Sequence, residues 1–137
     1  MIQIFDKKGF TTLLTIDSPT LCDADLSGCQ LGEANMVQYD LRNTCLKGSN
    51  LRDADLRLTR LDHADLRDAD LTNADLSGAN LSAAQLQGAI LTNTTLIDAK
   101  LPDNFNQQQP GRSRLSAIPV SNELATPLNN QTGGEAD

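Results

Sequence analysis

The chain has 137 residues, 39% of them hydrophobic and only 3% aromatic, with no tryptophan. A net charge of −7 and a pI near 4.5 argue against a general binder of nucleic acid or anionic membrane, since both attract cations. No apolar stretch is long enough to predict a transmembrane helix, the start lacks the basic and hydrophobic regions of a signal peptide, and the three cysteines form no CxxC; a cytoplasmic location with reduced thiols is expected.

Residues 1–18 read as a β-hairpin. Ile2-Gln3-Ile4-Phe5 and Phe10-Thr11-Thr12-Leu13-Leu14-Thr15-Ile16 are apolar and β-branched runs, and Lys7-Lys8-Gly9 supplies the turn. Ser18-Pro19 breaks the second strand.

From residue 19 to about 105 the chain repeats every five residues. The repeat centres are Leu21, Leu26, Leu31, Met36, Leu41, Leu46, Leu51, Leu56, Leu61, Leu66, Leu71, Leu76, Leu81, Leu86, Leu91, Leu96 and Leu101, with Met36 the single substitution. Two residues before the centre stands a small residue, as at Ala24, Ala54, Ala64, Ala69, Ala74, Ala79, Ala84 and Ala89. No helix or strand has a period of five, so the chain must turn once per repeat. In an extended segment residues two apart face the same way. The small residue and the leucine therefore face inward, and the residue between them faces out. Gly28, Gly32, Asn43, Gly48, Gly78, Gly88 and Asn93 are the expected turn residues. One repeat cannot bury its own leucine, so the repeats must coil and stack.

Repeats such as Ala64-Asp65-Leu66-Arg67-Asp68 and Ala74-Asp75-Leu76-Ser77-Gly78 resemble the pentapeptide-repeat family, whose pattern is A(D/N)LXX. The resemblance covers about 85 of the 137 residues. It implies an all-β fold, a right-handed quadrilateral β-helix with four repeats per coil. Leu21 to Leu101 would then make about four coils, a rod of about 20 Å at roughly 4.8 Å per rung. The expected organisation is a hairpin cap over residues 1–18, the β-helix over 19–105 and a disordered tail over 106–137. Ile4, Leu14 or Phe10 is the expected plug at the base, and Phe105 the plug at the top. The tail contains Leu115-Ser116-Ala117-Ile118-Pro119-Val120, which could serve as a docking motif, although a plain disordered terminus is the preferred reading.

Twenty-residue stacking would set Asp40 beside Arg60 and Arg42 beside Asp62 as opposite charges, and Asp55 beside Asp75 and Glu33 beside Asp53 as like charges. Charge is banded: residues 21–40, 41–60, 61–80 and 81–100 carry net −4, +3, −4 and zero. Val37, Leu58 and Ile97 are apolar residues at outward positions of one side, with Ile90 on the side before it. Tyr39 takes a slot where alanine is usual, beside Met36; tolerated strain there is preferred over a designed bend. Val37, Leu58, Ile97 and Tyr39 are the candidate protein-contact residues.

No nucleophile elbow, phosphate loop or metal cluster occurs in the sequence. No catalytic, cofactor-binding or metal-binding residue is therefore assigned, and His63 reads as a solvated surface side chain. The expected function is a non-catalytic scaffold or protein-binding module with an unidentified protein partner and no direct nucleic-acid or membrane binding. The chain is expected to be a monomer, or a weak end-to-end or face-to-face dimer. The alternative, carried by the family resemblance, is a DNA mimic that modulates a type II topoisomerase (gyrase); the short rod and its basic band speak against it.

Overall fold

The computed structural model describes residues 1–108; most of the expected disordered tail, including its stretch 115–120, lies outside the described residues. β1 (Ile2–Phe5) and β2 (Thr12–Ile16) pair as an antiparallel hairpin. β2 starts later than the apolar run at Phe10 suggests, because Asp6 organises the loop. Its N–H donates to the Thr11 carbonyl at 2.9 Å, and its Oδ1 accepts the N–H groups of Phe10 at 2.9 Å and Thr11 at 3.2 Å. Ile4 is fully buried, Leu14 is half-buried and Phe10 is 87% exposed. Phe10 is thus corrected from plug to surface residue: the Asp6 loop holds it out at the hairpin tip.

From Leu21 onward each repeat makes one turn. Every centre carbonyl from Leu21 to Leu96 accepts the N–H three residues on, as from Ala24 at 3.1 Å and from Ala79 at 3.0 Å. The residue two after each of these centres has positive φ, from Asp23 at 66° to Asp98 at 59°. That φ at the third residue is the signature of a type II turn. Gly32 directly follows its centre and is not among the positive-φ residues; Glu33, at 62°, makes that turn instead.

Twenty residues complete one circuit. Parallel bridges join residues 25, 45, 65 and 85; 30, 50, 70 and 90; 35, 55, 75 and 95; and 40, 60, 80 and 100. Four ladders give the rod four sides. The first is centred on Leu21, Leu41, Leu61 and Leu81, and the fourth on Met36, Leu56, Leu76 and Leu96. Each rung is tied in both directions: Leu26 N–H donates to the Cys45 carbonyl at 2.7 Å, and Cys45 N–H donates to the Ala24 carbonyl at 2.9 Å.

The interior is leucine. Centres Leu21 to Leu96 are at most 3% exposed, each burial contributing about 1.5–3 kcal/mol. Leu101 is only partly buried, because among the described residues no coil stacks beyond it. Where Thr44, Ser49, Thr59 and Thr94 replace the small alanine they are equally buried. Each hydroxyl then donates to a backbone carbonyl, as Thr44 to Leu21 at 2.9 Å and Thr94 to Leu71 at 2.7 Å, which removes the penalty of a buried unpaired hydroxyl. Tyr39 does not strain the coil. Its N–H donates to Met36 at 3.1 Å and its carbonyl accepts from Arg60 at 2.9 Å, as in neighbouring repeats; the ring is half-buried against the core.

At the base, β1 extends the fourth ladder. Asn35 N–H donates to the Phe5 carbonyl and Lys7 N–H to the Glu33 carbonyl, both at 2.8 Å, and Asp6 bridges Ala34. At the top, Phe105 is 2% exposed and opens α1 (Phe105–Gln108). This short helix begins on the last residue of the expected β-helix and runs into the first residues of the expected disordered tail; it is the exception to an all-β reading.

Candidate protein-contact face

The outward residue before each centre decides what the surface can do. In nine repeats it is Asp or Asn, and its Oδ1 accepts the N–H two residues on, from Asp25–Ser27 at 3.0 Å to Asn80–Ser82 at 3.0 Å. These are Asx turns. They explain the Asp or Asn of the repeat as backbone chemistry, and they occupy the carboxylates that would otherwise be candidate acids and bases.

Several of these acceptors take a second donor from the residue just after the centre. Ser27, Thr72, Ser77 and Ser82 donate a hydroxyl. Arg42, Arg57 and Arg67 donate bidentately to Asp40, Asp55 and Asp65, at 2.7–2.9 Å. The opposite charges expected beside one another across coils therefore do not pair with each other. Asp40 and Arg60 are bridge partners, but the Asp40 carboxylate is taken by Arg42 of its own repeat. The same contact takes Arg42 from Asp62, whose Oδ1 is buried without a hydrogen-bond partner. Among the described residues the cross-coil ion pair is Arg52–Asp70 at 3.1 Å.

The pairing shifts the acids in one direction. The guanidinium hydrogen bonds of Arg42, Arg57 and Arg67 hold Asp40, Asp55 and Asp65 below the usual carboxylate range. At Asp55 the Lys7 charge adds to the effect. Ser27 lowers Asp25. Burial pushes Asp70 up, but the donors Thr72 and Arg52 outweigh it. The basic band is a girdle: Arg42, Lys47, Arg52 and Arg57 stand just after the centre on the four successive sides of one circuit. Three of the four are neutralised by adjacent aspartates.

The fourth side gathers apolar surface. Leu58 is 53% and Ile97 43% exposed, and Val37 is half-buried. Leu58 and Ile97 flank Gly78: Leu58 Cδ2 would lie 2.7 Å from a Cβ at Gly78, and Gly78 N–H donates to the Ile97 carbonyl at 2.9 Å. Val37 is set apart, because Arg57 and Ser77 occupy its column between it and Ile97. Tyr39 sits at the corner of the fourth and first sides, one rung below Leu58 and Thr59. Ile90 is half-buried on the third side. Leu58 has φ +62°, a conformation that costs an aliphatic L-residue about 1–2 kcal/mol. Sequence reading missed Phe5, which is 38% exposed directly beneath Asn35 on this side. The alternation with buried Ile4 was the available signal.

Elsewhere His63 is exposed at a turn with φ +63°, and Cys22, Cys29 and Cys45 are free, half-buried thiols; burial pushes the Cys29 thiol up. Among the described residues, no group of three or more His, Cys, Asp and Glu side chains could hold a metal ion, and no helix is long and apolar enough to cross a membrane.

Comparison with known proteins gives a single family. The profile of pentapeptide repeats matches residues 21–57 and 59–98 in eight copies. Among solved structures, the chain is similar to HetL, a pentapeptide repeat protein involved in heterocyst differentiation regulation in the cyanobacterium Nostoc sp. strain PCC 7120, at 36% identity and TM-score 0.43. That match covers 58% of this chain and 36% of HetL, so the chain spans about a third of that protein's length. It is also similar to the pentapeptide repeat protein alr5209 from Nostoc PCC 7120, at 33% identity, covering 71% of this chain and 84% of that one, with TM-score 0.37. A pentapeptide repeat protein of the Arabidopsis thaliana thylakoid lumen matches at 30% identity, over 62% of this chain and 70% of that one, with TM-score 0.31. No curated protein matches the chain in sequence.

Proposed function

Because the chain belongs to the pentapeptide repeat family, whose fold is a right-handed β-helix, we propose that it is a non-catalytic scaffold or protein-binding module. It presents about four coils, capped below by the hairpin of residues 1–18 and closed above by Phe105, over a repeat body of residues 19–105 in the cytoplasm. The observation that carries this reading is how the side chains are used. Inward positions are filled by leucine at 0–3% exposure as far as Leu96, and outward acids accept backbone N–H groups at short range. Recognition is left to flat outer sides. Among these the fourth, with Leu58, Ile97, Val37 and the corner residue Tyr39, is the contact surface for a protein partner. Grouped exposed apolar residues mark such surfaces, whereas single ones need no explanation.

A pull-down from cell extract with the full chain and with residues 109–137 deleted tests the reading. A partner retained by both and lost on Leu58→Asp with Ile97→Asp supports it; no partner recovered by either chain refutes it. The gyrase-directed alternative needs a continuous acidic surface, and the girdle of Arg42, Lys47, Arg52 and Arg57 interrupts one. No inhibition or protection is expected in a supercoiling assay at micromolar protein.

A further inference from the structure

At the base of the fourth side Asn35 gives its N–H to the Phe5 carbonyl at 2.8 Å, and Asp6 bridges Ala34. The hairpin thus closes the lowest rung of that side. The second side, centred on Leu26, Leu46, Leu66 and Leu86 and opposite the fourth, has no such closure. Cys45 bridges Asp25 below and Asp65 above, whereas Asp25 bridges only Cys45. Among the described residues, the Asp25 N–H and the Asp25 and Ser27 carbonyls have no hydrogen-bond partner. One rung higher the same three groups are all used. The Cys45 N–H donates to the Ala24 carbonyl at 2.9 Å, and the Cys45 and Lys47 carbonyls accept from Leu26 at 2.7 Å and Gly28 at 2.9 Å.

Exposure agrees with the bonding. Asp25, Ser27 and Gly28 are exposed, and the inward residues at the two ends of this side, Ala24 and Cys29, are half-buried. Their counterparts one coil up, Thr44 and Ser49, are buried, and so is Ala34 above β1. The centre is closed nonetheless: Leu26 is 1% exposed, and Leu13, Leu14 and Ile16 of the hairpin pack against the core. The cap therefore fills the middle of the base and leaves the rim of the second side bare. An unpaired rim of this kind is a template for a further strand. The rim is also acidic. No lysine or arginine occurs between Lys8 and Arg42, and Asp23 and Asp25 are exposed. Asp25 Oδ1 accepts the Ser27 N–H at 3.0 Å and the Ser27 hydroxyl at 2.7 Å, which fixes the carboxylate beside the rim. Lys47 is the first cation on this side and stands one rung higher, above Ser27.

We propose that the base of the second side takes up an extended basic segment of a protein partner as a parallel strand. In the register used throughout the rod, one partner residue gives its N–H to the Asp25 carbonyl. The residue two further on gives its N–H to the Ser27 carbonyl, and the carbonyl of the residue two before accepts the Asp25 N–H. These three residues point inward and are small, because the cap already fills the space under Leu26. The residue opposite Asp25 points outward and is lysine or arginine, and so is the one two before it, beside Asp23. This surface lies across the rod from the fourth side, so the proposal goes beyond the contact surface assigned above.

The probe is the capped peptide acetyl-Ala-Lys-Ala-Lys-Ala-Thr-Ala-amide, added to the isotope-labelled full chain and followed by NMR. Three backbone hydrogen bonds and exposed ion pairs give weak binding, with a Kd on the order of 1 mM, so the titration runs to about 10 mM. The Asp25 amide proton should move downfield along a saturating curve, while that of Cys45, already bonded, stays in place. N-methylation of the alanines removes the donors and keeps the charge, and should weaken binding at least about tenfold. Glutamate in place of both lysines should weaken it as much. Asp25→Asn keeps the turn acceptor, as Asn35, Asn50 and Asn80 do, so the chain stays folded and should bind the lysine peptide at least about twofold more weakly. An Asp25 amide that does not move, or an N-methylated or glutamate peptide that binds as well as its parent, would overturn the proposal, as would undiminished binding to folded Asp25→Asn. An Asp25 amide that shifts with protein concentration in the absence of peptide would assign the rim to a second copy and overturn it too. Leu58 and Ile97 take no part, so failure here leaves the fourth-side reading standing, and a failed pull-down leaves the peptide titration to be judged on its own.

Discussion

Leu58 and Gly78 show how a single turn position couples to its neighbour on the next coil. Leu58 occupies a left-handed turn at φ +62° and Gly78 the equivalent turn above it at φ +70°, with Leu58 Cδ2 lying where a Gly78 Cβ would intrude. Leu58→Asn is expected to stabilise the fold by about 1 kcal/mol by relieving the left-handed cost of an aliphatic residue. Gly78→Ala is expected to destabilise by about 1–3 kcal/mol, from turn strain and overpacking together. The two are coupled: in the Leu58→Asn background the overpacking part falls away, so a double-mutant cycle by chemical denaturation should show a clear interaction energy. Strict additivity would mean that the leucine does not lean over the glycine. Asp65 tests the other recurring contact. Its Oδ1 accepts Arg67 N–H at 3.1 Å and both oxygens bind the guanidinium. Asp65→Ala should cost about 1–2 kcal/mol, the worth of a backbone hydrogen bond together with a partly screened ion pair. Asp65→Asn retains the turn acceptor and should cost less than half of that; equal losses would show that charge, and not the turn, governs this position.

The repeat is the element of this fold, and its stability depends on where it lies along the rod. Leu66 is fully buried with coils on both sides, so Leu66→Ala should cost about 2–5 kcal/mol. Leu66→Asp places a carboxylate in a filled core and should abolish the cooperative melt. Leu101 is only partly buried, and Leu101→Ala should cost less than half of the Leu66→Ala value. Melts showing equal losses would contradict the one-dimensional stacking of the core. The leucine period, the small inward residue and the hairpin were legible in the sequence, because burial periodicity is a local signal. The twenty-residue circuit was not; only the family resemblance supplied it. Reading the charges as columns found the cross-coil neighbours and passed over the ion pairs within a repeat, although the local signal was present. Asp-Leu-Arg at 40–42, 55–57 and 65–67 puts acid and base on the same face of an extended segment, within reach of one bidentate contact. The contact side was half legible: Leu58 and Ile97 break the polar pattern of outward positions, whereas Phe5 was hidden in a strand expected only to cover the base.

At the scale of the whole molecule two electrostatic effects oppose each other as pH falls. The chain carries a net −7, and neutralising acids would relieve its self-repulsion. Against this, Asp40, Asp55 and Asp65 are held low by arginine hydrogen bonds, Asp25 by Ser27 and Asp6 first by the N–H of Thr11. A carboxyl whose pKa is lower folded than unfolded binds protons more readily in the unfolded chain. Its stabilisation is therefore full above the ordinary carboxylate value, near 4, and is lost as pH falls through the folded value below it. The distances decide between the two effects. The hydrogen bonds act at 2.7–3.3 Å, whereas repulsion between separate bands of the rod is screened beyond about 10 Å at 0.1 M salt. The melting temperature should therefore be nearly level from about pH 7 to 5 and fall steeply below about pH 4, where the Asx turns lose their ionised acceptors. Lowering salt to about 0.01 M should depress the neutral plateau without moving the acid limb, because it lengthens the range of repulsion and leaves the short contacts alone. Circular-dichroism melts across this range provide the check: a melting temperature that climbs between pH 5 and 3 at 0.1 M salt would mean that net charge, and not the turn carboxylates, sets the acid stability of the rod.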